Sequence, residues 1–531
     1  MYDVLIIDGY VDEPALLGVP PYISPEPRLL AGAAEDLGLK WRYITIDNVR
    51  QGDIPSSSTV LVHGGVTVPG NYLGGRPMSL KEANRLSDLP GDTYIGGPMA
   101  RYGMVEGFDH VVAKDLSAYF YDGVKGSYKD RWTTLKERDR WLKMGVSVVK
   151  EHPWFDRPLI AEMETYRGCV RYFTGGCGFC SEPDYGRPEF REVRDILDEI
   201  SGLYGQGVRN FRLGGQSCIL CYGAEDIGKT ETPVPSPEKI GELFQGIWER
   251  CPDIRVLHVD NANPAVISQN PEEAREVIRL LVKYTTPGNV LALGMESADP
   301  EVIKKNDLNA SPQQVRTAVE LINELGKERG GNGMPYLLPG LNFIGGLPGE
   351  TGDTYEMNFN FLRNILDDGL LLRRINIRQV LLDGRERRVE NIEGYRSFKK
   401  KVRHDIDRPM LKKLVPTGTI LRDVYMEVLK GNTTFGRQVG TYPILIGIKY
   451  PLTLDRSYNV IVTEHGYRSI TAVHHPFVVQ EAGFKQLEAL PGIGKKRAAA
   501  IFRKCPQDLH ELKEIVKDDD VVEDLEDIIS F

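Results

Sequence analysis

Three cysteines lie within a span of twelve residues in the stretch RGCVRYFTGGCGFCSEP, which contains Cys169, Cys177 and Cys180. The whole chain of 531 residues has only seven cysteines, so this concentration calls for a reason. Clustered thiols are typical of disulfides, of metal ligands or of catalytic nucleophiles. The spacing of seven and then two intervening residues therefore predicts a loop on which several sulfur atoms meet.

The start of the chain bears on which of these uses applies. The stretch MYDVLIIDGY has no basic segment ahead of its short apolar run, which we interpret as a first β-strand and not as a signal peptide. No apolar run reaches the roughly 18 to 20 residues that a membrane span needs. The number of cysteines is odd, which also argues against a full set of disulfides. These features together predict a cytoplasmic protein without a membrane partner. The cytoplasm is a reducing compartment in which disulfides are rare.

The cysteine cluster is therefore expected to bind a metal. Zinc would need a fourth Cys or His, and the nearest pair, Cys218 and Cys221, follows about forty residues later. Three closely spaced thiolates with an open fourth position suit a [4Fe–4S] cluster, so we predict Cys169, Cys177 and Cys180 as its ligands. Cys218 and Cys221 are interpreted as packing residues, with a second metal site as the alternative.

The charge of the chain limits its partners. A formal net charge of −9 argues against a dedicated nucleic-acid-binding protein, which is normally basic. The charge is uneven, because residues 371–438 contain seventeen Lys or Arg and eight Asp or Glu. Such a basic segment favours the guided encounter of a large partner, and a solvated helix face is the alternative.

Residues 1–150 are predicted to form an open α/β domain of the Rossmann-like class. Apolar strands alternate with amphipathic segments, and two strands run into the glycine turns Gly64–Gly65 and Gly96–Gly97. Turns of this kind place backbone N–H groups at the carboxyl ends of parallel strands, where nucleotide-like ligands bind. Glycine turns also serve as simple connections, so the pattern leaves both uses open.

Residues 151–383 repeat a strand–helix rhythm, which predicts a partial (β/α)6 barrel. The six strands are expected at LIAEMETYR, NFRLGG, RVLHVDNA, VLALGMES, LLPGLNFIGG and RINIRQVLL. The cysteine cluster follows the first of them. Because chemistry on such barrels takes place at the carboxyl ends of the strands, the cluster lies on the expected loop.

The C-terminal part is predicted to be an α+β region. Residues 384–480 are expected to be basic and mostly helical up to about residue 435, followed by a small antiparallel β unit. Residues 481–531 contain LPGIGKKRAAAIF, which resembles helix-hairpin-helix modules that hold a DNA phosphate. This segment has eight Lys or Arg against twelve Asp or Glu, so we favour a docking or structural use.

The motifs that follow the strands are similar to those of the radical S-adenosylmethionine (SAM) superfamily, although the usual cysteine spacing there is three and then two. LGGQ ends the second strand, GMES ends the fourth, and NFIGGLPGET follows the pattern of the fifth. The resemblance implies that the first motif binds the methionine amino group and that Glu296 holds the ribose. The residues implied for SAM are Gly214, Gly215, Gln216, Glu296, Ser297, Asn342 and Ile344.

The α/β domain ahead of the barrel resembles the cobalamin-binding subgroup of that superfamily. The motif Asp-x-His-x-x-Gly is absent, so no histidine is expected to ligate cobalt from below. The segment DEPALLGVPPY would contribute apolar residues beneath the corrin ring, and His63 is interpreted as a structural residue with a ligand role as the alternative. The residues implied for cobalamin are Leu16, His63, Gly64, Gly65, Gly96 and Gly97.

The order of all segments is similar to that of a group of archaeal radical SAM proteins with a C-terminal helix-hairpin-helix. This resemblance implies cobalamin-dependent methylation of an unactivated sp³ carbon, with an electron donor and a protein or peptide partner. It further implies the α subunit of methyl-coenzyme M reductase as that partner and a glutamine Cα as the methylated atom. The alternative is a radical SAM enzyme that modifies tRNA, resembling methylthiotransferases, whose C-terminal region binds the nucleic acid. The ordered motifs speak against a pure binding module.

Overall fold

The structure is a computed structural model that describes residues 2–12, 16–65, 74–382, 385–386 and 389–531. Residues 13–15 of the segment DEPALLGVPPY lie outside this description. The strands in the described part are β1 (Tyr2–Asp8), β2 (Tyr22–Ile23), β3 (Trp41–Thr45), β4 (Ser57–His63), β5 (Asp92–Gly96), β6 (His110–Val111), β7 (Ile160–Met163), β8 (Tyr166–Arg167), β9 (Glu189–Phe190), β10 (Asn210–Leu213), β11 (Val256–Val259), β12 (Asn289–Glu296), β13 (Leu337–Gly345), β14 (Arg374–Gln379), β15 (Leu381–Leu382), β16 (Arg385–Glu386), β17 (Ile420–Lys430), β18 (Thr433–Gln438), β19 (Leu445–Ile448), β20 (Ser457–His465) and β21 (Ser469–His474).

Helices connect most of these strands, and 3-10 turns cover Gly145–Glu151, Glu182–Tyr185 and Ile219–Cys221. The α-helices of the described part are α1 (Glu26–Asp36), α2 (Ile46–Gln51), α3 (Leu80–Leu86), α4 (Pro98–Arg101), α5 (Leu116–Val124), α6 (Leu135–Met144), α7 (Val193–Gln206), α8 (Pro237–Arg250), α9 (Pro264–Gln269), α10 (Pro271–Tyr284), α11 (Pro300–Lys305), α12 (Pro312–Gly326), α13 (Gly352–Asp367), α14 (Ile392–Val402), α15 (Arg408–Leu414), α16 (Phe484–Glu488), α17 (Lys495–Lys504), α18 (Leu509–Val516) and α19 (Asp519–Glu526). No helix in the described ranges is both long and apolar enough to cross a membrane.

The first sheet has five parallel strands in the order β3-β1-β4-β5-β6. Its strands are apolar on both sides, as a parallel sheet covered on both faces requires. Ile6 and Ile7 of β1 are both fully buried, and each belongs to a different apolar core. The carboxyl ends of β4 and β5 meet at one edge, where the predicted glycine turns follow them.

Six parallel strands, which we call the central strands, form the next part of the chain. Three pair in the order β11-β10-β7 and three in the order β12-β13-β14, and a bridge between Ala262 and Leu293 joins the two groups. Each of the six expected segments matches one of these strands, although β12 begins one residue before VLALGMES. The prediction of a mixed α/β fold is therefore confirmed.

The N-terminal segment takes part in the central strands. β2 pairs in parallel with β7, so Tyr22 and Ile23 extend the sheet that begins after residue 150. Arg28 of α1 then forms a buried ion pair with Glu199 of α7, with a distance of 2.9 Å between Nε and Oε1. The sequence gives no sign of this pairing, because a strand of two residues is too short to show a periodic pattern.

The C-terminal β unit is larger than predicted. β17 to β21 form a closed barrel in the order β17-β18-β19-β21-β20, in which β19 and β21 are parallel and the other pairs are antiparallel. The expectation of helix up to about residue 435 is therefore wrong for Ile420–Lys430 and Thr433–Gln438. A turn at Gly431 and Asn432 joins these two strands, and Gly-Asn between apolar runs is a hairpin signal.

Candidate functional site

The predicted cysteines lie on the loop between β7 and α7, at the carboxyl end of the first central strand. Gly175 and Gly176 have φ angles of 90° and 69°, which side-chain-bearing residues rarely adopt, so the path of this loop depends on glycine. The loop is held to the segment after α11, because the Gly178 N–H donates to the Asn306 carbonyl at 2.9 Å. All three thiols are partly exposed.

The side chain of Arg171 lies against this group of thiols. Its Nη1 donates to Cys177 Sγ at 3.1 Å and to the Asp307 carbonyl at 2.8 Å. Burial raises the pKa of the Cys177 thiol to about 11 and also raises the pKa of Cys169 and Cys180. Arg171 opposes the shift at Cys177, so the guanidinium favours negative charge on that sulfur.

The donor set suits an iron–sulfur cluster. In the described ranges, no three His, Cys, Asp or Glu side chains are already arranged as a complete metal site. Cys169 nevertheless helps to raise the pKa of both Cys177 and Cys180, so the three thiols influence one another's ionisation. Thiolates are the ligands that [4Fe–4S] clusters use. Metal binding would remove the thiol protons that burial retains. Cys169, Cys177 and Cys180 therefore fit the predicted cluster by their chemistry.

Glu296 ends the fourth central strand close to these thiols. It has a φ angle of 56°, and its Oε2 atom is buried with no hydrogen-bond partner among the described residues. Burial raises the pKa of this carboxyl to about 8, although Arg378 opposes the shift. The charge of Glu296 also helps to raise the pKa of the Cys177 thiol. A buried acceptor without a partner beside the cysteine loop is suited to polar groups of SAM.

Two further predicted SAM residues lie on β13. Ile344 is partly buried and packs in the same small apolar cluster as Cys177 and Phe179. Asn342 accepts a hydrogen bond from Asn376 of β14 through its Oδ1, at 3.2 Å. Both side chains alternate with buried neighbours, so they share one face of the strand.

In the LGGQ and GMES motifs, Gln216 and Ser297 are predicted to bind SAM, but their side chains are buried and hydrogen-bond to the protein backbone. The Gln216 amide donates to the carbonyls of Leu213 at 2.7 Å and Asp260 at 3.0 Å, and Gln216 is buried. Ser297 is fully buried and accepts from the Asp299 N–H at 3.2 Å. These two side chains support the turns from within the fold.

Positions 214 and 215 require glycine because neighbouring parts of the protein lie close to their backbone. A side chain at position 214 would collide with Arg212 and Glu162. A Cβ at position 215 would lie 3.0 Å from Glu164 Cβ and 3.2 Å from Leu16 Cδ2. Leu16, which we expected beneath a corrin ring, therefore lies against the LGGQ turn.

A buried group of charges lies beneath this turn. Arg212 of β10 contacts both Glu162 and Asp260, and all three side chains are fully buried. Burial raises the pKa of an aspartate, but Arg212 and the Tyr442 hydroxyl hold the pKa of Asp260 below its usual value. Asp260 is therefore a fixed negative charge in the interior.

Tyr442 connects the C-terminal barrel to these charges. It lies on the loop between β18 and β19, and its hydroxyl donates to Asp260 Oδ2. The Arg374 guanidinium lies 3.7 Å from the centre of the Tyr442 ring. On the same loop, the Thr441 N–H donates to His258 Nδ1 at 2.9 Å, and the Tyr22 hydroxyl donates to the Gly440 carbonyl at 3.0 Å. This loop thus contacts both groups of central strands and β2.

The glycines predicted for cobalamin lie in closely packed surroundings. A Cβ at Gly64 would lie 3.2 Å from Met99 Sδ, and one at Gly65 would lie 2.8 Å from the Val11 Cα. Gly96 similarly faces Leu116, and Gly97 faces His63. His63 is buried, and burial lowers its pKa. A side chain at any of these four positions would thus meet the chain's own atoms, so the close approach of neighbouring segments accounts for glycine there.

Cys218 and Cys221 are buried directly behind the cluster loop. The Asn263 N–H donates to Cys218 Sγ at 3.2 Å, and the two thiols are hydrogen-bonded to each other. Cys169 also helps to raise the pKa of Cys221, so the two thiols are close enough to interact electrostatically. Their burial agrees with the packing role that we assigned to them.

A separate cavity of about 900 Å³ lies at the amino-terminal ends of β7, β10 and β11, where they meet the C-terminal barrel. Its walls include Arg157, Arg255 and Arg456. It lies at the opposite ends of the strands from the cysteine loop, and it contains none of the predicted site residues.

Sequence reasoning missed Arg171, Asn376, Arg378, the buried charges and Tyr442. For β14 a signal exists, because RINIRQ alternates polar and apolar residues and therefore has one polar face. For Glu162 and Arg212 the signal is a charge in the middle of an apolar strand. Nothing local marks Tyr442, because its partner Asp260 is 182 residues away along the chain.

Comparisons with known proteins find relatives that cover most of this chain. An uncharacterized protein of Methanocaldococcus jannaschii is 45% identical over 88% of this chain and 92% of its own length. One from Archaeoglobus fulgidus is 40% identical over 92% of this chain and 93% of its own. The tRNA-2-methylthio-N(6)-dimethylallyladenosine synthase of Xylella fastidiosa is 28% identical over 37% of each chain.

Solved structures show weaker likeness. Methylornithine synthase has a TM-score of 0.30 at 16% identity and covers 53% of this chain and 70% of its own. Coproporphyrinogen III oxidase from Escherichia coli has a TM-score of 0.27 at 15% identity, covering 42% and 44%. Both scores are too low to bear on the fold or the activity. Residues 163–362, however, match the Radical SAM superfamily, and they contain all three cysteines and every residue predicted to bind SAM. Residues 163–362 of this chain therefore form a Radical SAM superfamily domain.

Proposed function

We propose that this radical SAM enzyme takes a hydrogen atom from carbon in a macromolecular substrate, and that the substrate is RNA. When bound, the [4Fe–4S] cluster supplies the electron that cleaves SAM and gives the 5′-deoxyadenosyl radical needed for that step. The residues of this chain would hold, orient and shield these groups. The proposal rests on the fit of the cysteine loop and on one feature of the C-terminal region.

Around the cluster, each residue has a separate task. Cys169, Cys177 and Cys180 would hold the iron, and Arg171 would keep a positive charge beside one sulfur. The unpartnered Oε2 atom of the Glu296 carboxyl would accept a hydrogen bond from SAM. Ile344, in its apolar cluster, would exclude water from the reacting carbon.

The order of strands in the C-terminal barrel carries the choice of RNA. Numbered from one to five, β17 to β21 close in the order one-two-three-five-four, with the third and fifth strands parallel. This is the arrangement of the five-stranded barrels that bind oligonucleotides, and it argues by analogy of fold. The partial similarity to a tRNA-modifying synthase supports the same substrate class.

The second candidate is the reaction that the sequence resemblance implies. It is cobalamin-dependent methylation of an sp³ carbon in a protein, with methyl-coenzyme M reductase as substrate and a glutamine Cα as target. The sequence resemblance to the cobalamin-binding subgroup supports it.

A comparison of substrates tests the proposal. The reconstituted enzyme with SAM and a reductant should release 5′-deoxyadenosine faster with total tRNA than without it, and mass spectrometry should find a modified nucleoside. Faster release with a glutamine peptide, a peptide heavier by one methyl group, and a corrin spectrum retained after incubation with hydroxocobalamin would favour the second candidate. Release that responds to neither substrate would contradict both.

A further inference from the structure

One surface of the protein carries a regular series of cations that the cluster site does not use. α14, a π-helical turn at Arg403–Asp407 and α15 form one continuous helical segment, because the backbone stays helical at Val402 and Arg408. Basic side chains recur at every fourth position of this segment, and all are exposed. We call them the basic stripe, and they are Arg396, Lys400, His404, Arg408 and Lys412.

The opposite face of the same segment is apolar. Phe398, Val402, Ile406 and Met410 are buried and also recur every fourth residue. A repeat of four drifts around a helix of 3.6 residues per turn by about 40° at each step. A π turn is wider and recovers part of that drift, so both faces stay aligned from α14 to α15. The stripe thus runs for about 24 Å along the surface.

The arginines and lysines of the stripe have no acidic partner in the part of the chain that the structure describes. In the described ranges, no ion pair joins Arg396, Lys400, Arg408 or Lys412 to a carboxylate. Nearby acids are engaged elsewhere, because Glu356 lies 3.6 Å from Lys401 and Asp407 lies 3.6 Å from Arg468. His404 alone is paired, through Nδ1 to Asp405 at 2.5 Å. A row of unpaired cations of this kind attracts a polyanion.

An exposed aromatic ring lies beside the middle of the stripe. Tyr467 is 51% exposed and lies on the loop between β20 and β21 of the C-terminal barrel. Its ring centre is 6.0 Å from that of His404. Loops between the fourth and fifth strands of oligonucleotide-binding barrels contribute to binding, and an exposed aromatic face can stack a base.

From this arrangement we infer that the basic stripe and Tyr467 bind single-stranded RNA, with phosphates along Arg396, Lys400, Arg408 and Lys412 and a base on Tyr467. The rise of about 6 Å between successive stripe residues is similar to the distance between phosphates in an extended strand. A membrane surface is a poorer partner, because the apolar face of the helix is buried in the protein. An acidic polypeptide would leave the aromatic ring without a role. The inference rests on RNA as the substrate class of the proposed function.

RNA binding by the full-length, reconstituted enzyme tests this inference without turnover. A short fluorescein-labelled single-stranded RNA would be titrated and followed by fluorescence anisotropy. K400E/K412E should raise the Kd by about tenfold or more, and four phosphate contacts predict a slope of log K against log salt near roughly −3 for the unaltered protein. The matched control K81E/K129E reverses two exposed lysines elsewhere and should bind like the unaltered protein.

The aromatic part has its own test. Tyr467→Ala should weaken binding by at least about fivefold, whereas Tyr467→Phe keeps the ring and should not. Unchanged binding by K400E/K412E, or an equal loss in K81E/K129E, would overturn the inference. Equal sensitivity of phosphatidylserine vesicles or of polyglutamate to K400E/K412E would assign the stripe to a membrane or an acidic protein and would overturn it as well.

The same samples separate this inference from the proposed function. Release of 5′-deoxyadenosine without RNA depends on the cluster and not on the stripe. If SAM is not cleaved but RNA binding depends on the stripe, the proposed function fails and the inference stands. If SAM is cleaved but the stripe variants bind RNA normally, the inference fails alone.

Discussion

Tyr442, on a loop of the C-terminal barrel, donates its hydroxyl hydrogen to Asp260 at the end of the third central strand. Asp260 also accepts from the backbone N–H of Ala292 at 3.1 Å, and its carbonyl accepts from the Gln216 amide at 3.0 Å. One aspartate thus joins the C-terminal barrel to the turn that carries LGGQ. Loss of the C-terminal contact is therefore expected to reach the turn that we predict to bind SAM.

Tyr442→Phe should destabilise the protein by about 1 to 3 kcal/mol, because Asp260 loses a buried hydrogen bond to a charged group. The midpoint of urea unfolding measures this change. Tyr425→Phe is the matched control, since that hydroxyl donates to Asp455 at 2.8 Å, near the surface. It should cost less than about 1 kcal/mol. Equal effects of the two variants would contradict the role we give to Asp260.

His258 should make stability depend on pH. Burial lowers the pKa of this histidine from 6.5 to about 4. The unfolded chain then binds more protons at this residue than the folded one between these values, so the contribution of His258 to stability falls as pH falls through this window and is constant above it. His258→Asn keeps an acceptor for the Thr441 N–H and should flatten this dependence.

The control for this measurement is His510→Asn, which alters an exposed histidine and should keep the slope of the unaltered protein. Urea unfolding at several pH values between 4 and 7 gives the comparison. An equal slope for His258→Asn and the unaltered protein would show that His258 is not held neutral in the fold.

The cluster ligands can be counted. After anaerobic reconstitution the protein should contain about four irons per chain, and alanine at Cys169, Cys177 or Cys180 should remove most of them. Cys251→Ala and Cys505→Ser are controls from outside the loop and should keep the iron. A value near eight irons in the unaltered protein would indicate a second cluster and would contradict the single site.

Arg171 should set the potential of the cluster. Its guanidinium is 3.1 Å from Cys177 Sγ and favours negative charge there, so it should stabilise the reduced cluster. Arg171→Gln should therefore lower the reduction potential, as measured by electron paramagnetic resonance during a redox titration. Arg171→Lys keeps the charge and should restore most of the difference. An unchanged reduction potential in Arg171→Gln would show that Arg171 does not stabilise the reduced cluster.

Much of the fold follows from local sequence pattern. The six central strands are apolar runs bounded by turns, so periodicity and length suffice to find them. β17 and β18 were harder to recognise, because Arg422, Lys430 and Arg437 lie among their apolar residues and hide the alternation. Their closure into a barrel depends on contacts with β20, which comes much later in the chain.

The site was predictable only in part, for a related reason. Cysteines that share a loop are visible as a motif and Arg171 lies within that loop, whereas Arg378 affects Glu296 only because folding brings the two residues together. Motif matching also cannot tell which way a side chain points. Gln216 and Ser297 belong to the motifs, yet their side chains form hydrogen bonds with backbone groups of the protein.

The central claim is that the three cysteines support reductive cleavage of SAM. The direct measurement is the anaerobic incubation of reconstituted protein with SAM and dithionite, followed by chromatography of the products. We expect 5′-deoxyadenosine and methionine in equal amounts from the unaltered protein and neither from Cys177→Ala. Protein that holds its iron but yields no 5′-deoxyadenosine, or Cys177→Ala that yields as much as the unaltered protein, would contradict it.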